Sequence, residues 1–486
     1  MIPDLRPYPA MKDSGVEWLG EVPEHWDTRP LKRWVRMNAA VLPETTVPDH
    51  EFRYVDIGSV GTGVLTQKPQ RLRFGSAPSR ARRVVCKGDT IISTVRTYLK
   101  AVYFVDRDAE ELICSTGFAV LTPRLGTLPK FVSYLARSDP FTNRVTADSV
   151  GIAYPAIVET RLGSFHVAVP PLPEQSAIVR FLDHVDRRIR RYIRAKQKLI
   201  TLLEEQRQAI IHRAVTRGLD PDVRLKPSGV EWLGDVPAHW EVVRSSRLVM
   251  LTTGFPFTSE GFSHDEGDIR LLRGINIAPG RIRWEAAVRW PTSQARDFVE
   301  YALREGDIVL GMDRPIVRGG VRVAVIGRAD VPSLVLQRVA RIRTRSGLDA
   351  SFAFLLLGGK SFADYLAPIF TGISVPHISP EQIGSFRIAL PPPSEQRRIV
   401  NWVQANTLTL KALAESARSE LDLLREYRTR LISDVVTGKL DVREAAAHLP
   451  EETGEPEPLD ETDTLAEDIS EETEAPDPDA LEEAEA

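Results

Sequence analysis

One thirteen-residue phrase occurs twice in this chain, and the repeat constrains the fold more than any other feature. Ser14-Gly15-Val16-Glu17-Trp18-Leu19-Gly20-Glu21-Val22-Pro23-Glu24-His25-Trp26 returns at residues 228–240, matching at eleven of thirteen positions with an offset of 214. A second phrase also recurs: Pro170-Pro171-Leu172-Pro173-Glu174-Gln175 comes back as Pro391-Pro392-Pro393-Ser394-Glu395-Gln396. Two copies this far apart are a duplicated domain, not a solenoid of short repeats. The paired tryptophans read as anchors of a rigid packed turn. Catalysis by His25 or His239 is disfavoured, because no nucleophile or carboxylate sits at a useful spacing.

Each Glu-Gln opens a long helical pattern. Ile178, Leu182, Val185, Ile189, Tyr192, Leu199, Leu203 and Ile210 alternate steps of four and three, with Lys196 and Gln206 filling the gaps. Ile399, Val403, Leu410, Leu413, Ala417, Leu424 and Leu431 repeat the register 221 residues on. Such a heptad seam predicts a helix facing another helix. Both patterns end at glycine, Gly218 and Gly438, which suits a left-handed C-terminal turn. A helix from Glu174 to Thr216 spans roughly 65 Å. A parallel pair would require the connector after Gly218 to run back that length while holding a folded Trp-rich phrase. Antiparallel packing with a pseudo-twofold is therefore expected.

Between the phrases the pattern is β-rich. Phe52–Gly58, Lys87–Val95 and Ala101–Val105 read as strands and turns, and Phe131–Leu135 as a short helix. Leu272–Asn276, Glu305–Arg314 and Phe352–Leu357 repeat that plan. The expected fold is α+β: two β-rich domains separated by two long helices in an antiparallel coiled coil. The segments are an N-terminal segment 1–27, a domain 28–168 and a helix 169–220. A connector 221–240, a second domain 241–389, a second helix 390–441 and an acidic disordered tail 442–486 follow.

The net charge of −4 hides an asymmetry. Residues 451–486 hold 17 acids and no base, which leaves 63 basic against 50 acidic side chains elsewhere. A basic body suggests a polyanion partner; a solvated surface with a solubility tail is the plainer alternative. Cys86 and Cys114 lie in apolar runs and read as buried small hydrophobes in a reducing cytoplasm. No apolar run reaches a membrane span, and Met1-Ile2-Pro3-Asp4 does not open a signal peptide.

Enzyme signatures are missing. Gly359-Lys360-Ser361 approaches a phosphate loop, but Phe354 stands where its first glycine belongs. There is no G-x-G-x-x-G, no Asn-Pro-Pro-aromatic tetrapeptide, no His-Glu-x-x-His and no cysteine cluster for a metal. No cofactor is expected. The candidate contacts are arginine-rich loops: Arg71, Arg73, Arg80, Arg82 and Arg83 in one stretch, and Arg96 with Lys100 after the first Gly-Asp strand. Arg314, Arg318 and Arg322 follow the second, beside Gly319-Gly320. Arginine suits paired contacts to guanine edges and to phosphate. Arg96 and Arg314 stand out because they recur at matched places, eight residues after Gly88 and Gly306. Alternatively each braces its loop by pairing with an acid such as Asp89 or Asp313.

The two Trp phrases, the Gly-Asp strands, the Pro-Pro…Glu-Gln helix starts and the duplicated layout resemble the specificity subunit of type I restriction–modification systems, over roughly residues 10 to 441. The resemblance implies two target-recognition domains, each binding half of a split site in double-stranded DNA. It implies two conserved helices in an antiparallel coiled coil and no catalysis of the subunit's own. It also implies partners: two modification (M) subunits that methylate adenine with S-adenosylmethionine, and restriction (R) subunits that use ATP. The acidic tail lies outside the resemblance. The rivals are a stand-alone DNA-binding protein without a methyltransferase and a fused methyltransferase or nuclease; the missing cofactor and phosphate motifs count against fusion.

Overall fold

The computed structural model describes residues 5–106, 110–151, 154–285, 287–317, 320–370 and 376–450. The chain forms two units. Of the described residues, the first gathers 5–195 with 420–450, and the second is Lys196–Ser419.

In the first unit, Gln70–Arg73, Glu51–Val55, Leu112–Ser115 and Ala81–Val84 form one four-stranded sheet in that order. Its central pair is parallel and the outer pairs antiparallel. A second sheet orders Val35–Met37, Phe118–Pro123, Thr90–Ser93 and Val102–Phe104, all antiparallel. Thr90–Ser93 and Leu112–Ser115 are buried at every residue, as expected for short apolar or β-branched runs inside a sheet. Val55, Ile91, Leu112, Phe118 and Val120 share one core. The helix Pro129–Arg137 starts on proline at its first turn and buries Phe131, Val132, Tyr134 and Leu135.

The second unit has a comparable plan. Val249–Thr253, Val339–Thr344, Ile308–Gly311 and Val323–Val325 make an antiparallel sheet. Val288–Trp290, Ile269–Leu272 and Ser333–Val335 make a smaller one, again with a parallel pair. Both Gly-Asp turns close alike. Gly88 (φ 93) and Gly306 (φ 89) are left-handed. The next residue, Asp89 or Asp307, accepts the backbone N–H of Cys86 (2.8 Å) or Arg304 (2.9 Å).

The long helices run Leu172–Arg217 and Pro393–Val436. Within each unit the segments pair antiparallel. In the second unit Gly218 lies by Glu395, while Glu204 pairs with Arg418. In the first, Trp26 touches both Glu174 and the Gly438 turn, while Asp186 pairs with Arg428 at 2.5 Å. The heptad expectation needs correction. Tyr192 is 54% exposed and Ile193 is buried instead; Leu199 is exposed, and Leu413 yields to Ala414. A straight helix of 3.6 residues per turn drifts against a 3.5 repeat, so the buried stripe steps by one position midway.

Gly218 (φ 74) and Gly438 (φ 78) end the helices left-handed, as expected. A side chain on Gly218 would meet Trp240, and one on Gly438 would meet Pro23 and Trp26. The glycines thus serve both the turn and the packing of the tryptophan phrase.

The tail begins later than expected. Arg443–Ala447 is helical, with Val442 and Ala446 buried, and Asp441 N donates to Arg6 O at 2.8 Å. Residues 442–450 hold one acid and one base, and the acidic run starts only at Glu451. Residues 451–486 lie outside the described residues. Among the described residues no single helix is long and apolar enough to cross a membrane.

Candidate functional site

The two recurring phrases fit onto each other. In the first unit Glu174, 7% exposed, accepts from Tyr8 Oη at 2.6 Å and Trp26 Nε1 at 2.8 Å, and pairs with His25 Nε2 at 2.7 Å. Burial and the Glu174 carboxylate push the Tyr8 phenol well above its ordinary range, so it stays a donor. In the second unit Glu395 pairs with His239 Nε2 at 2.9 Å and accepts from Trp240 Nε1 at 3.2 Å. The expectation that His25 and His239 lack a carboxylate partner is therefore corrected. Glu174 and Glu395 are those partners, and the chain spacing conceals them. The role is docking: each histidine holds a helix start.

The adjacent glutamines fasten the domains. Gln175 Oε1 accepts from Leu128 N (2.7 Å), and Nε2 donates to Gly126 O (3.1 Å) and Pro170 O (2.8 Å). Gln396 repeats this on Asp349 N (2.8 Å), Gly347 O (2.8 Å) and Pro391 O (2.9 Å). Both amides are buried, and these partners fix their orientation. Glu thus locks the tryptophan phrase to the helix, and Gln locks the loop before the domain's own helix.

The first unit adds a buried ionic joint. Asp186 pairs with Arg190 at 2.9 Å and with Arg428, one on each long helix, beside the Arg137 guanidinium. Burial opposes its ionisation, but Arg428, Arg190 and Arg137 together outweigh burial and hold the carboxyl far below the usual range. Asp183 accepts from Tyr134 Oη at 2.6 Å and Lys130 Nζ at 2.7 Å.

The candidate arginines separate into classes. Arg96 (φ 49) and Arg314 (φ 42) are both left-handed, rare for a non-glycine residue. Both donate their backbone N–H to a proline carbonyl, Pro155 at 2.8 Å and Pro376 at 2.7 Å. Arg96 is exposed, with its guanidinium 4.9 Å from the Tyr154 ring centre. Asp89 closes its own turn, and Asp313 bonds His377. Lys100, also left-handed, pairs with Asp139 at 2.8 Å.

The Arg71–Arg83 stretch is divided between two strands of one sheet and the turn that joins them. Arg71 and Arg73 sit on Gln70–Arg73 and Arg82 and Arg83 on Ala81–Val84, the outer strands of one four-stranded sheet. Arg73 pairs with Glu51 at 3.1 Å and Arg83 with Glu159, while Arg82 stacks on Phe74 at 4.5 Å. Arg71 and Arg80 are exposed. Arg322 is buried, 8% exposed. Arg318 lies outside the described residues. Sequence reasoning missed Arg338, exposed and left-handed (φ 68), and His377, both gathered at Asp313. No spacing connects these three.

This fold and its paired clamps define a duplicated protein in which two unlike β-rich domains are each fastened to a long helix. The model of the type I restriction modification DNA specificity domain matches residues 77–201. The chain is 26% identical over 294 residues to the Type I restriction enzyme MjaVIII specificity subunit of Methanocaldococcus jannaschii, covering 60% of this chain and 66% of that protein. It is 36% identical over 168 residues to the EcoAI specificity subunit of Escherichia coli, covering 34% and 28%. To the putative MjaX specificity subunit of M. jannaschii it is 22% identical over 450 residues, covering 87% and 96%. The matched stretch thus spans less than two thirds of the first two relatives and nearly all of the third. A solved chain from work on complex assembly and conformational transition of the type I R–M system aligns with TM-score 0.59 and 23% identity, over 86% of this chain and 99% of that one. That likeness shows the fold. In residues 77–201, and over the stretches aligned with these relatives, the chain is thus similar to specificity subunits of type I restriction enzymes.

Proposed function

We propose that the chain reads a split DNA site, one half through residues 28–168 and the other through 241–389, and recruits two M subunits and R subunits to it. The helical segments 169–220 and 390–441 set the gap, and the phrases at 1–27 and 221–240 fasten them. The observation that carries this reading is the matched pair Arg96 and Arg314. Each projects from a left-handed turn held by a proline carbonyl, on domains that otherwise differ. Strained backbone of this kind gathers at functional positions. Loops on a rigid scaffold are where recognition usually lives.

Arg96→Ala and Arg314→Ala are expected to alter different halves of the site. Selection from random duplexes by the assembled methyltransferase complex reads this out. A base contact relaxes one position at a cost of about 1–3 kcal/mol; a phosphate contact weakens binding evenly and lowers the salt slope by about one. Unchanged selection and salt slope in both variants would refute the assignment.

Deleting seven residues from each long helix, at matched levels between Asp186/Arg428 and Glu204/Arg418, is expected to shorten the gap by about 10 Å, or about three base pairs. Methylation profiling of cells carrying the variant reads the spacer directly. An unchanged spacer in a folded, active variant rejects the ruler.

A further inference from the structure

The two domains share a main-chain frame around their reading turns but fill it differently. In the second unit Met312 N donates to Arg338 O at 2.8 Å, and Met312 O accepts from Ile378 N at 2.9 Å. In the first, Thr94 N donates to Gly117 O at 2.8 Å, and Thr94 O accepts from Ile157 N at 2.8 Å. One bridge flanks each frame, Asp313 with His377 and Val95 with Ala156. Asp313, Arg338 and His377 therefore stand where the first domain has Val95, Gly117 and Ala156. The next residue along is Arg314 in one domain and Arg96 in the other.

The three charged or polar side chains form one group. His377 Nδ1 lies 2.7 Å from Asp313 Oδ1. Arg338 Nη1 lies 3.3 and 3.5 Å from the two ring nitrogens and 3.7 Å from Asp313 Oδ1. The group faces solvent: the Arg338 side chain is 56% exposed, His377 38% and Asp313 36%. In the first domain the same place is closed, because a side chain on Gly117 would run into Ile57 and Val95. Arg338 holds a left-handed backbone (φ 68), rare for a residue other than glycine and of the kind that gathers at functional positions.

The geometry points to Asp313, His377 and Arg338 as the specificity element of the second domain, with Arg338 directed at the O6 and N7 edge of a guanine. Arginine forks match that edge, and this is the commonest specific major-groove contact. The imidazole and carboxylate hold the guanidinium before DNA arrives, so less freedom is lost on binding. The exposed pairing is weak enough to be shared with a base. The first domain, lacking the group, offers apolar residues and the Arg96–Tyr154 stack. The inference rests on the split-site reading above and names one determinant of the second half.

The test uses the chain assembled with its methyltransferase partners and a random-duplex selection. Arg338→Gly places at this turn the residue that the first domain uses, so the variant is expected to melt no lower than the parent. Preference for guanine should be lost at one position, in the half that Arg314→Ala also alters, with about 5- to 150-fold weaker binding of the parental site. Arg338→Lys keeps the charge without the fork and should lose the same preference. Base preferences that survive Arg338→Gly overturn the inference and leave the split-site reading standing. So does a uniform loss that Arg338→Lys restores, which marks a phosphate contact. A parental complex that selects no split site overturns both.

Discussion

Replacing Asp186 by alanine is expected to destabilise the first unit by about 3–5 kcal/mol, the usual cost of removing one partner from a buried ionic group. The carboxylate is 12% exposed and its partners Arg190 and Arg428 are 11% and 15% exposed, so solvent screens them little. Without it the guanidinium groups of Arg190, Arg428 and Arg137 lose the carboxylate they share. The pH dependence has a definite sign. The carboxyl is held below its ordinary value in the folded chain, so its contribution is present in full above the unfolded value of about 3.9 and fades as pH falls below it. Urea titrations at pH 7 and pH 3 should therefore show a large gap between parent and variant at pH 7 and a smaller one at pH 3. A gap that widens in acid would contradict the joint.

Glu174→Ala should cost more than Glu395→Ala. In the first unit the change strands the buried Trp26 indole N–H and Tyr8 hydroxyl, at about 1–3 kcal/mol for each unsatisfied group, and releases His25. About 3–5 kcal/mol is expected in sum. In the second unit Glu395 is 23% exposed, and its contacts to His239 and Trp240 are longer. No tyrosine joins them: the offset that relates the phrases puts exposed Asp222 opposite Tyr8. About 1–2 kcal/mol is expected there. Hydrogen exchange of the helix starts near Leu172 and Pro393 measures both locally. Equal losses would mean that the clamps do not differ as their hydrogen bonds suggest.

The architecture was legible because duplication writes it twice. The phrase offsets placed both helix starts, both Gly-Asp turns and both terminal glycines, and local chemistry agreed at each. The clamps were not legible, since Trp26 and Glu174 meet only through the fold. The seam was read to within one residue: Tyr192 and Ile193 are both apolar, and only helical drift decides between them. The placement of the candidate arginines was the least legible. Adjacent arginines on a strand-turn-strand segment suggested a patch, but Leu112–Ser115 and Glu51–Val55 insert between them in the sheet. The left-handed backbone at Arg96, Arg314 and Arg338 has no sequence signal, because arginine is not a residue that usually adopts it. Copies also diverge in chemistry where they agree in shape. The helix offset puts Thr407 opposite Asp186, so the ionic joint belongs to the first unit alone.

The first unit is made of two separated pieces of chain, and this bears on how the protein is synthesised. Its β-rich domain leaves the ribosome early, but the helix segment from Glu420 that completes its helix pair emerges only after all of Lys196–Ser419. Lys196–Ser419 must be translated in between, about 10–45 s at about 5–20 residues per second. Through that interval the apolar stripe of Ile178, Leu182, Val185 and Ile189 has no partner from Glu420–Val436, and Asp186 lacks Arg428. The second unit is contiguous and can close first. A nascent chain from which residues through Ser419 have just cleared the ribosome should thus carry a finished second unit and an unfinished first one, the reverse of their order in the gene. Exposed stripes of this kind are what chaperones bind, so the N-terminal helix start is where a folding factor would be needed.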